Sequence, residues 1–443
     1  MIKIGMVSLG CPKNTVDTEG LLGDLVKHGF EITSEENADA IIVNTCGFIG
    51  PAKKESIDAI LEMARLKTDG KCKKLIVTGC LAERHGEELL REIPEIDHLL
   101  GVNQYPMLKD ILRGGDDEAA DNLNLLNAPH SHYASYADRV LTTPFYTAYV
   151  KIAEGCSNKC AFCIIPKMRG PFRSRPMESI VDEVRQLAQK GVKEFNLISQ
   201  DTTMYGTDLR MKNGLAQLLE SLETVEGAEW IRLMYCYPTF INPGLIDAVA
   251  RLDKVCKYMD IPLQHTHDFM LKHMRRQETE KIVRGMMDSL RDKVPDIALR
   301  TTFIVGFPGE TDAHFDHLIK FIKDIEFDHV GCFAYCNEEG TTAYDFPDQV
   351  PGAVAEERKA ELMRVQQEIA RKKNAGRVGR VYPVLVEGVN EEENFLLTGR
   401  LPSQAPEIDG QVIIDNAEVE PGQIVPMKIT GSLDYDLVAE GVT

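Results

Sequence analysis

The sequence has 443 residues, enough for about three domains of average size. Hydrophobic residues make up 43% of it, charged residues 27%, and the formal net charge is −19, a composition that excludes a disordered chain and argues against a protein that coats nucleic acid. No apolar run reaches the roughly eighteen residues that a membrane-spanning helix needs, and the short apolar start at residues 1–7 does not resemble a signal peptide, so a cytoplasmic location is expected.

The first part of the chain alternates short β-branched runs with amphipathic stretches. Strands are expected at residues 2–9, 40–44 and 75–78, and the helices that follow them at residues 18–27, 52–65 and 82–92. Alternation of strands and helices at this spacing predicts a parallel-sheet α/β domain over residues 1–112. The polar segment 113–140, which lacks hydrophobic periodicity, is expected to be an interdomain linker.

A second α/β series begins at Thr147. Its expected strands cover residues 148–153, 194–199, 230–235, 258–263, 299–305 and 330–335, and helices are expected at 177–189, 311–325 and 354–373. Six strand–helix units predict a partial (βα)6 TIM-like barrel over residues 141–374. The segment 375–443 changes to short β runs separated by Gly, Pro and Asn, at residues 381–386, 393–398, 411–414, 424–429 and 437–440, which predicts a small all-β barrel.

Three cysteines lie together directly after the first strand of the expected barrel. They are Cys156, Cys160 and Cys163, at spacings of four and three residues. In a reducing compartment such clusters are metal ligands or reactive thiols rather than disulfides. Structural zinc generally takes four ligands, whereas three thiolates on a four-iron cluster leave one iron open. The triplet therefore predicts an iron–sulfur site at the barrel face that carries chemistry.

Three further cysteines follow three successive strands of the N-terminal domain. Cys11, Cys46 and Cys80 are separated by 35 and 34 residues, and each adjoins a glycine (Gly10, Gly47 and Gly79). The carboxyl ends of parallel strands meet at one edge of a sheet, so these thiols are expected to converge. The other five cysteines, Cys72, Cys236, Cys256, Cys332 and Cys336, lack this phasing. Of these, Cys332 and Cys336 are expected in the hydrophobic core.

The motif Cys156-x3-Cys160-x2-Cys163, with Phe162 before the last cysteine, resembles the signature of radical S-adenosylmethionine (SAM) enzymes. That resemblance implies a 4Fe–4S cluster whose open iron is chelated by SAM, and a deoxyadenosyl radical made by one-electron reduction. Together with the N-terminal triplet, the chain resembles the methylthiotransferases, and within them most nearly the RimO group. The strings that carry this are SLGCPKNTVDTE (8–19), NTCGFIGPAKKESIDAI (44–60), TGCLAER (78–84), ISQDTTMYG (198–206), YMDIPLQH (258–265), GFPGET (306–311) and TGRLPSQAPEIDG (398–410).

The resemblance covers essentially the whole chain and implies three domains: an N-terminal cluster domain, a radical SAM domain and a C-terminal TRAM domain. It implies two 4Fe–4S clusters, one held by Cys156, Cys160 and Cys163 to generate the radical, the other held by Cys11, Cys46 and Cys80 to carry the methylthio group. By similarity, two SAM molecules are used, as methyl donor and radical source, and the product is an aspartate of small-subunit ribosomal protein twelve methylthiolated at its β-carbon. A flavodoxin or ferredoxin is expected as the low-potential electron donor.

The barrel face should also hold SAM and substrate. Polar residues follow the second, fourth and fifth strands at Gln200–Asp201, Gln264–His265 and Gly306–Glu310. We expect Phe162, Gln200, Gln264 and Gly306 to line the SAM pocket, although residues 306–309 equally fit a plain turn. Lys159 and Arg169 are either charges that attract a substrate carboxylate or solvated loop charges.

The C-terminal segment 377–443 has four basic and twelve acidic residues. Two interpretations fit this charge: the surface repels phosphate and attracts a basic ribosomal protein, or the charges simply keep the barrel soluble. Direct binding of nucleic acid is therefore not expected. Three alternatives remain open at this point: methylthiolation of adenosine in tRNA, an electron-transfer iron–sulfur protein without a pocket, and a zinc protein.

Overall fold

In the computed structural model, the described residues are 1–114, 124–125, 136, 138–390, 396–415 and 417–442. Most of the expected linker 113–140, and the start of the expected strand 393–398, lie outside them. The chain packs into two compact units: the first comprises Met1–Pro144, Glu154–Asn158 and Cys163–Arg173, and the second Phe145–Ala153, Lys159–Phe162 and Ser174–Thr443. Over the described part of the chain, no helix is both long and apolar enough to cross a membrane.

The first unit contains a parallel sheet with helices. Its elements are β1 (Lys3–Ser8), α1 (Pro12–Lys27), β2 (Glu31–Ile32), β3 (Ala40–Thr45), α2 (Gly50–Asp69), β4 (Lys74–Gly79), α3 (Cys80–Glu92), β5 (His98–Leu100), α4 (Leu108–Arg113), β6 (Asn124–Leu125) and α5 (Ile165–Arg169). The strand order is β2-β1-β3-β4-β5-β6, and every pairing is parallel. The expected parallel α/β sheet is confirmed.

The sheet is buried on both faces, which is why its strands are nearly continuous apolar runs rather than alternating ones. Ile41 and Val43 point into one core cluster and Ile42 into the other, all with no exposed surface. Three helices of this unit begin earlier than expected: α1 starts at Pro12, α2 at Gly50 and α3 at Cys80. Proline suits the first turn of a helix, and these polar turns carry no apolar period that the sequence analysis could detect.

The second unit contains the expected partial barrel. Its strands and helices are β7 (Thr147–Lys151), α6 (Met177–Gln189), β10 (Glu194–Ile198), α7 (Gly214–Glu223), β11 (Trp230–Leu233), α8 (Pro243–Arg251), β12 (Val255–Asp260), α9 (Asp268–His273), α10 (Glu280–Lys293), β13 (Ala298–Val305), α11 (Asp312–Ile325), β14 (His329–Ala334) and α12 (Gly352–Ala375). The six strands form one parallel sheet with β7 and β14 at its edges. Two short strands flank the cysteine loop, β8 (Ala153–Glu154) and β9 (Arg173–Ser174).

The same unit ends in a closed five-stranded barrel. Its strands are β15 (Val381–Asn390), β16 (Leu396–Arg400), β17 (Val412–Asp415), β18 (Ile424–Ser432) and β19 (Leu437–Gly441), in the order β15-β16-β17-β19-β18. Val384, Val386, Met427 and Ile429 fill its centre without exposed surface. Closure leaves no free sheet edge, so a segment this small folds around one core.

A buried ion triad joins the small barrel to the parallel sheet. Glu194 of β10 has no exposed surface and lies between Arg232 of β11, at 2.9 Å, and Arg400 of β16, at 2.7 Å. Burial opposes ionisation of Glu194, but the two guanidinium groups prevail and hold its pKa well below the ordinary value. A second link is the Tyr258 hydroxyl, which donates to the Asp409 carboxylate at 2.8 Å. These contacts fix how the two sheets of this unit pack.

Candidate cluster sites and cofactor pocket

Cys11, Cys46 and Cys80 all lie at the carboxyl edge of the first unit's sheet. They follow β1, β3 and β4, which are neighbours in it. Ser8 pairs with Asn44, and Asn44 with Thr78, so the three strands end in register. Cys11 immediately precedes α1, and Cys80 is the first residue of α3. The three thiols therefore emerge from one row of strand ends.

Glycines allow the three cysteine turns to approach closely. Gly10 has φ +94°, and a Cβ built there would lie 3.1 Å from the Cys46 sulfur. A Cβ on Gly47 would lie 2.8 Å from the Cys80 carbonyl oxygen. Any side chain at these two positions would force the turns apart, so glycine is required here.

The thiols of this site also interact electrostatically. Burial raises the pKa of Cys46, and raises that of Cys80 to about 12, with the charges of the neighbouring cysteines adding to the effect. Both thiols must release their protons to ligate a metal, and burial makes that release harder. Cys11 is exposed while Cys46 and Cys80 are buried, so the site opens to reagents on the Cys11 side.

The donor set fits an iron–sulfur cluster better than a single ion. Among the described residues, no three His, Cys, Asp or Glu side chains are placed to hold one metal ion. In a four-iron cluster each thiolate binds a different iron, so the sulfurs need not reach a common point. Three thiols at one sheet edge, spaced by glycine turns, match that requirement, whereas a zinc site would need four ligands around one ion.

Arg169 is not the substrate-facing or solvated charge that the sequence suggested; that expectation is wrong. Its side chain is buried at the end of α5, with 2% of its surface exposed. It donates to the Cys80 sulfur at 3.3 Å, to Asp17 at 2.9 Å and to Glu154 at 3.1 Å, and also to the Asn14 side-chain oxygen. Burial would lower the pKa of the guanidinium, but Cys80 and the two carboxylates raise it well above its ordinary value. Lys159, by contrast, is exposed, as a solvated loop charge would be.

The second triplet follows β7. Cys156 and Cys163 belong to the first unit and Cys160 to the second. Cys156 is buried, and its backbone N–H donates to the Gly170 carbonyl at 3.1 Å. Cys160 and Cys163 are half-buried.

Cys160 has a buried arginine beside it that sequence reasoning missed. The Arg276 guanidinium lies 3.9 Å from the Cys160 sulfur, pairs with Glu278 at 2.6 Å and covers the Tyr237 ring at 4.0 Å. Burial raises the pKa of the Cys160 thiol, while Arg276 acts in the opposite direction. No motif marks Arg276, because it comes 116 residues after Cys160 in the chain.

The expected SAM-pocket residues lie at the carboxyl ends of the barrel strands. Phe162 packs edge-on against Phe307, with ring centroids 6.4 Å apart. Gln264, after β12, has a left-handed φ of +69° and exchanges backbone hydrogen bonds of 2.8 Å with Thr302 and Ile304. A non-glycine residue in this conformation is strained, and such strain concentrates at functional sites.

Gln200 and Gly306 follow β10 and β13. Gln200 is half-buried. Gly306 has φ +73°, and a Cβ there would collide with Ala355, so its identity already has a packing reason. Behind these residues, burial lowers the pKa of His265 to about 3 and raises that of Glu310 to about 7, so the imidazole is neutral at pH 7.

The two cysteines expected in the core, Cys332 and Cys336, differ in burial. Cys332 is buried in β14, as expected for a core residue. Cys336 lies beyond the end of the strand, is half-buried, and its thiol donates to Glu338 at 3.2 Å. The expectation that Cys336 is a core residue is therefore wrong, because β14 ends two residues earlier.

Comparison with known proteins assigns the chain. Three family models match: the uncharacterised protein family UPF0004 over residues 3–101, the radical SAM superfamily over 150–322, and the TRAM domain over 378–442. Ribosomal protein uS12 methylthiotransferase RimO of Geotalea uraniireducens is 48% identical over 439 residues, covering 99% of this chain and 98% of that protein. RimO of Myxococcus xanthus is 47% identical, covering 99% and 91%. The chain belongs to the RimO family.

Solved structures support the fold alone. The radical SAM methyltransferase TsrM of Kitasatospora setae, with cobalamin and a 4Fe–4S cluster bound, has a TM-score of 0.56 at 14% identity and covers 75% of this chain and 74% of its own. The cobalamin-dependent radical enzyme OxsB has a TM-score of 0.52 at 14% identity, with coverages of 84% and 56%. As a RimO-family and radical SAM protein, the chain is an enzyme that uses SAM and 4Fe–4S clusters.

Proposed function

We propose that this enzyme methylthiolates ribosomal protein uS12, at the β-carbon of an aspartate, in the cytoplasm where ribosomes assemble. The observation that carries the proposal is the 48% identity to uS12 methylthiotransferases along 99% of the chain, and the two cysteine triplets of the sequence support it. We further propose domain boundaries at 1–112, 141–374 and 375–443 on either side of the linker 113–140.

We assign the ligands of the two clusters to the two triplets. Cys11, Cys46 and Cys80 hold the cluster that carries the methylthio group, and Cys156, Cys160 and Cys163 hold the one that generates the radical. When bound, the clusters and SAM supply the methyl group, the sulfur and the radical that removes a hydrogen from the substrate. An external low-potential donor, a flavodoxin or ferredoxin, supplies the electron.

The chain's own residues ligate, orient and exclude water. Arg276 offsets the negative charge of the Cys160 thiolate and so favours its ionisation. Phe162 and Phe307 form an apolar wall that keeps water from a radical. We assign the side chains of Gln200 and Gln264 to binding polar groups of SAM, and Gly306 to a position where the backbone lies close to SAM. All three residues follow strands at the barrel face where barrel enzymes hold their substrates.

The TRAM barrel is proposed as the docking surface for the basic substrate. Of its four basic residues, Arg400 is buried against Glu194, so it adds nothing to the surface field. Exposed acidic residues remain at Glu407, Asp415, Glu418 and Glu420. A surface of this sign attracts a cationic protein and repels phosphate.

Neutralising this acidic surface should weaken uS12 binding. In a variant with the four exposed carboxylates changed to amides, we expect a higher Kd for uS12 and a smaller dependence of Kd on salt, with SAM cleavage unchanged. A matched control changes four exposed glutamates of α12 to glutamine, at Glu356, Glu357, Glu361 and Glu368. Equal Kd values for the two variants would remove the docking role. Truncation is a poorer test, because it would strip Arg400 from buried Glu194.

The function itself is tested by product mass. Reconstituted enzyme with SAM and a reductant is incubated with purified uS12 and, separately, with unmodified tRNA. We expect uS12 to gain the mass of one methylthio group at a single aspartate and tRNA to gain none. Methylthiolation of tRNA but not of uS12 would establish the tRNA enzyme instead, and release of no deoxyadenosine would indicate an electron-transfer protein.

A further inference from the structure

The loop that carries the second cysteine triplet continues into a segment that reaches the first cysteine site. Cys163 is followed by α5, which ends at Arg169, and Gly170 then turns the chain with φ +72°. Every residue of this segment from Cys163 to Arg173 belongs to the same compact unit as Cys11, Cys46 and Cys80.

The Arg169 side chain is oriented by two carboxylates and by the Asn14 side-chain oxygen, to which its Nη2 donates, so that its Nε–H faces sulfur. Its Nη1 lies between Asp17 and Glu154, at 2.9 and 3.1 Å. The Nε–H then points at the Cys80 sulfur, 3.3 Å away. A lysine ammonium, which is a point charge, cannot make these contacts in one fixed orientation, whereas the planar guanidinium can.

The neighbouring backbone holds the other triplet. The Gly170 carbonyl accepts from the Cys156 N–H at 3.1 Å. Gly155 packs against the same carbonyl so closely that a built Cβ would lie 2.6 Å from it. Two adjacent residues, Arg169 and Gly170, thus contact a cysteine of each triplet.

We propose that Arg169, supplied by the loop of the second triplet, is a positioning residue that completes the N-terminal cluster site and raises the reduction potential of the cluster bound there. The proposal rests on the function proposed above, in which both triplets hold clusters. A positive charge and a hydrogen bond on a ligand sulfur stabilise the reduced cluster, which carries one more negative charge. Removing Arg169 also leaves the buried Asp17 carboxylate without its cation, and this negative charge lowers the reduction potential further.

The test measures the reduction potential of one cluster at a time. In a parent protein with Cys156, Cys160 and Cys163 changed to alanine, only the N-terminal cluster remains. We compare this parent with Arg169→Lys, and with the charge-balanced pair Arg169→Gln and Asp17→Asn, which guards against misfolding from an unpaired buried carboxylate. The control is Lys167→Gln, which removes an exposed charge from the same helix.

At a fixed solution potential, we expect both Arg169 variants to lower the ratio of reduced to oxidised N-terminal cluster about tenfold. Loss of one hydrogen bond to a charged group has an effect of this size. Lys167→Gln should match the parent. In the reciprocal parent, with Cys11, Cys46 and Cys80 changed to alanine, Arg169→Lys should leave the potential of the radical cluster unchanged.

The outcomes are separable. A parent that binds no iron at the N-terminal site overturns the proposed function, and this inference with it. A loaded N-terminal cluster whose potential is the same with Arg169, with lysine and with the neutral pair overturns this inference. Equal shifts of both clusters also overturn it, since they would indicate a general structural effect.

Discussion

Changing Cys46 to alanine is expected to leave SAM cleavage intact and to stop methylthio transfer. The radical site keeps all three of its cysteines, so deoxyadenosine should form at close to the unaltered rate. Methylthiolation of uS12 should fall at least about a hundredfold. Losing a residue that merely hydrogen-bonds a metal ligand costs up to about a hundredfold, and losing the ligand itself should cost more. Chromatography of deoxyadenosine and mass spectrometry of uS12, in one reaction, measure both.

Two variants bracket this result. Cys160→Ala should abolish both products, because it removes a ligand of the radical site. Cys72→Ala should change neither. Cys72 is also a buried thiol of the N-terminal sheet domain, but it precedes β4, at the opposite end of the strand from Cys80, and its sulfur donates to the Lys74 carbonyl. Continued methylthiolation by the Cys46 variant would show that the N-terminal triplet does not carry the transferred group.

Changing Arg400 to methionine should cost about 3 kcal/mol of unfolding free energy, the loss expected when a buried ion pair loses one partner. Glu194 has no exposed surface and would keep the Arg232 guanidinium and the Thr147 hydroxyl as partners. Because the pKa of Glu194 is held well below its ordinary value, the triad is fully charged at pH 7 and the whole effect should appear there. Trp230, the sole tryptophan, pairs in register with Glu194, so its fluorescence reports unfolding at this place.

Rescue distinguishes the charge from simple packing. The double variant Glu194→Gln with Arg400→Met removes the uncompensated charge and should regain about half or more of the lost stability. Arg380→Met removes an exposed arginine of the same barrel and should alter stability by less than about 0.5 kcal/mol. A loss below about 1 kcal/mol for Arg400→Met would show that the triad does not hold the barrel in place.

The sequence predicted all six strands of the second parallel sheet, but only β1, β3 and β4 of the six strands described in the first. Strands of both parallel sheets were marked by apolar runs such as residues 40–44, and the cysteines by their phase relative to those runs. The helix starts at Pro12 and Cys80 escaped prediction, since first turns lie outside the apolar stripe.

The arginine partners of the cysteines could not be predicted. Arg169 comes 89 residues after Cys80, and Arg276 comes 116 after Cys160, and no local pattern couples such positions. Charge counting had the same limit. It treated Arg400 as a surface cation, whereas the structure buries it against Glu194, 206 residues away in sequence.

Iron and sulfide content after anaerobic reconstitution tests the central claim most directly. Two cysteine-ligated four-iron clusters predict about eight irons and eight sulfides per chain. Changing Cys11, Cys46 and Cys80 together to alanine should leave about four, and so should changing Cys156, Cys160 and Cys163. About four irons in the unaltered enzyme, unchanged when the N-terminal triplet is removed, would contradict the account.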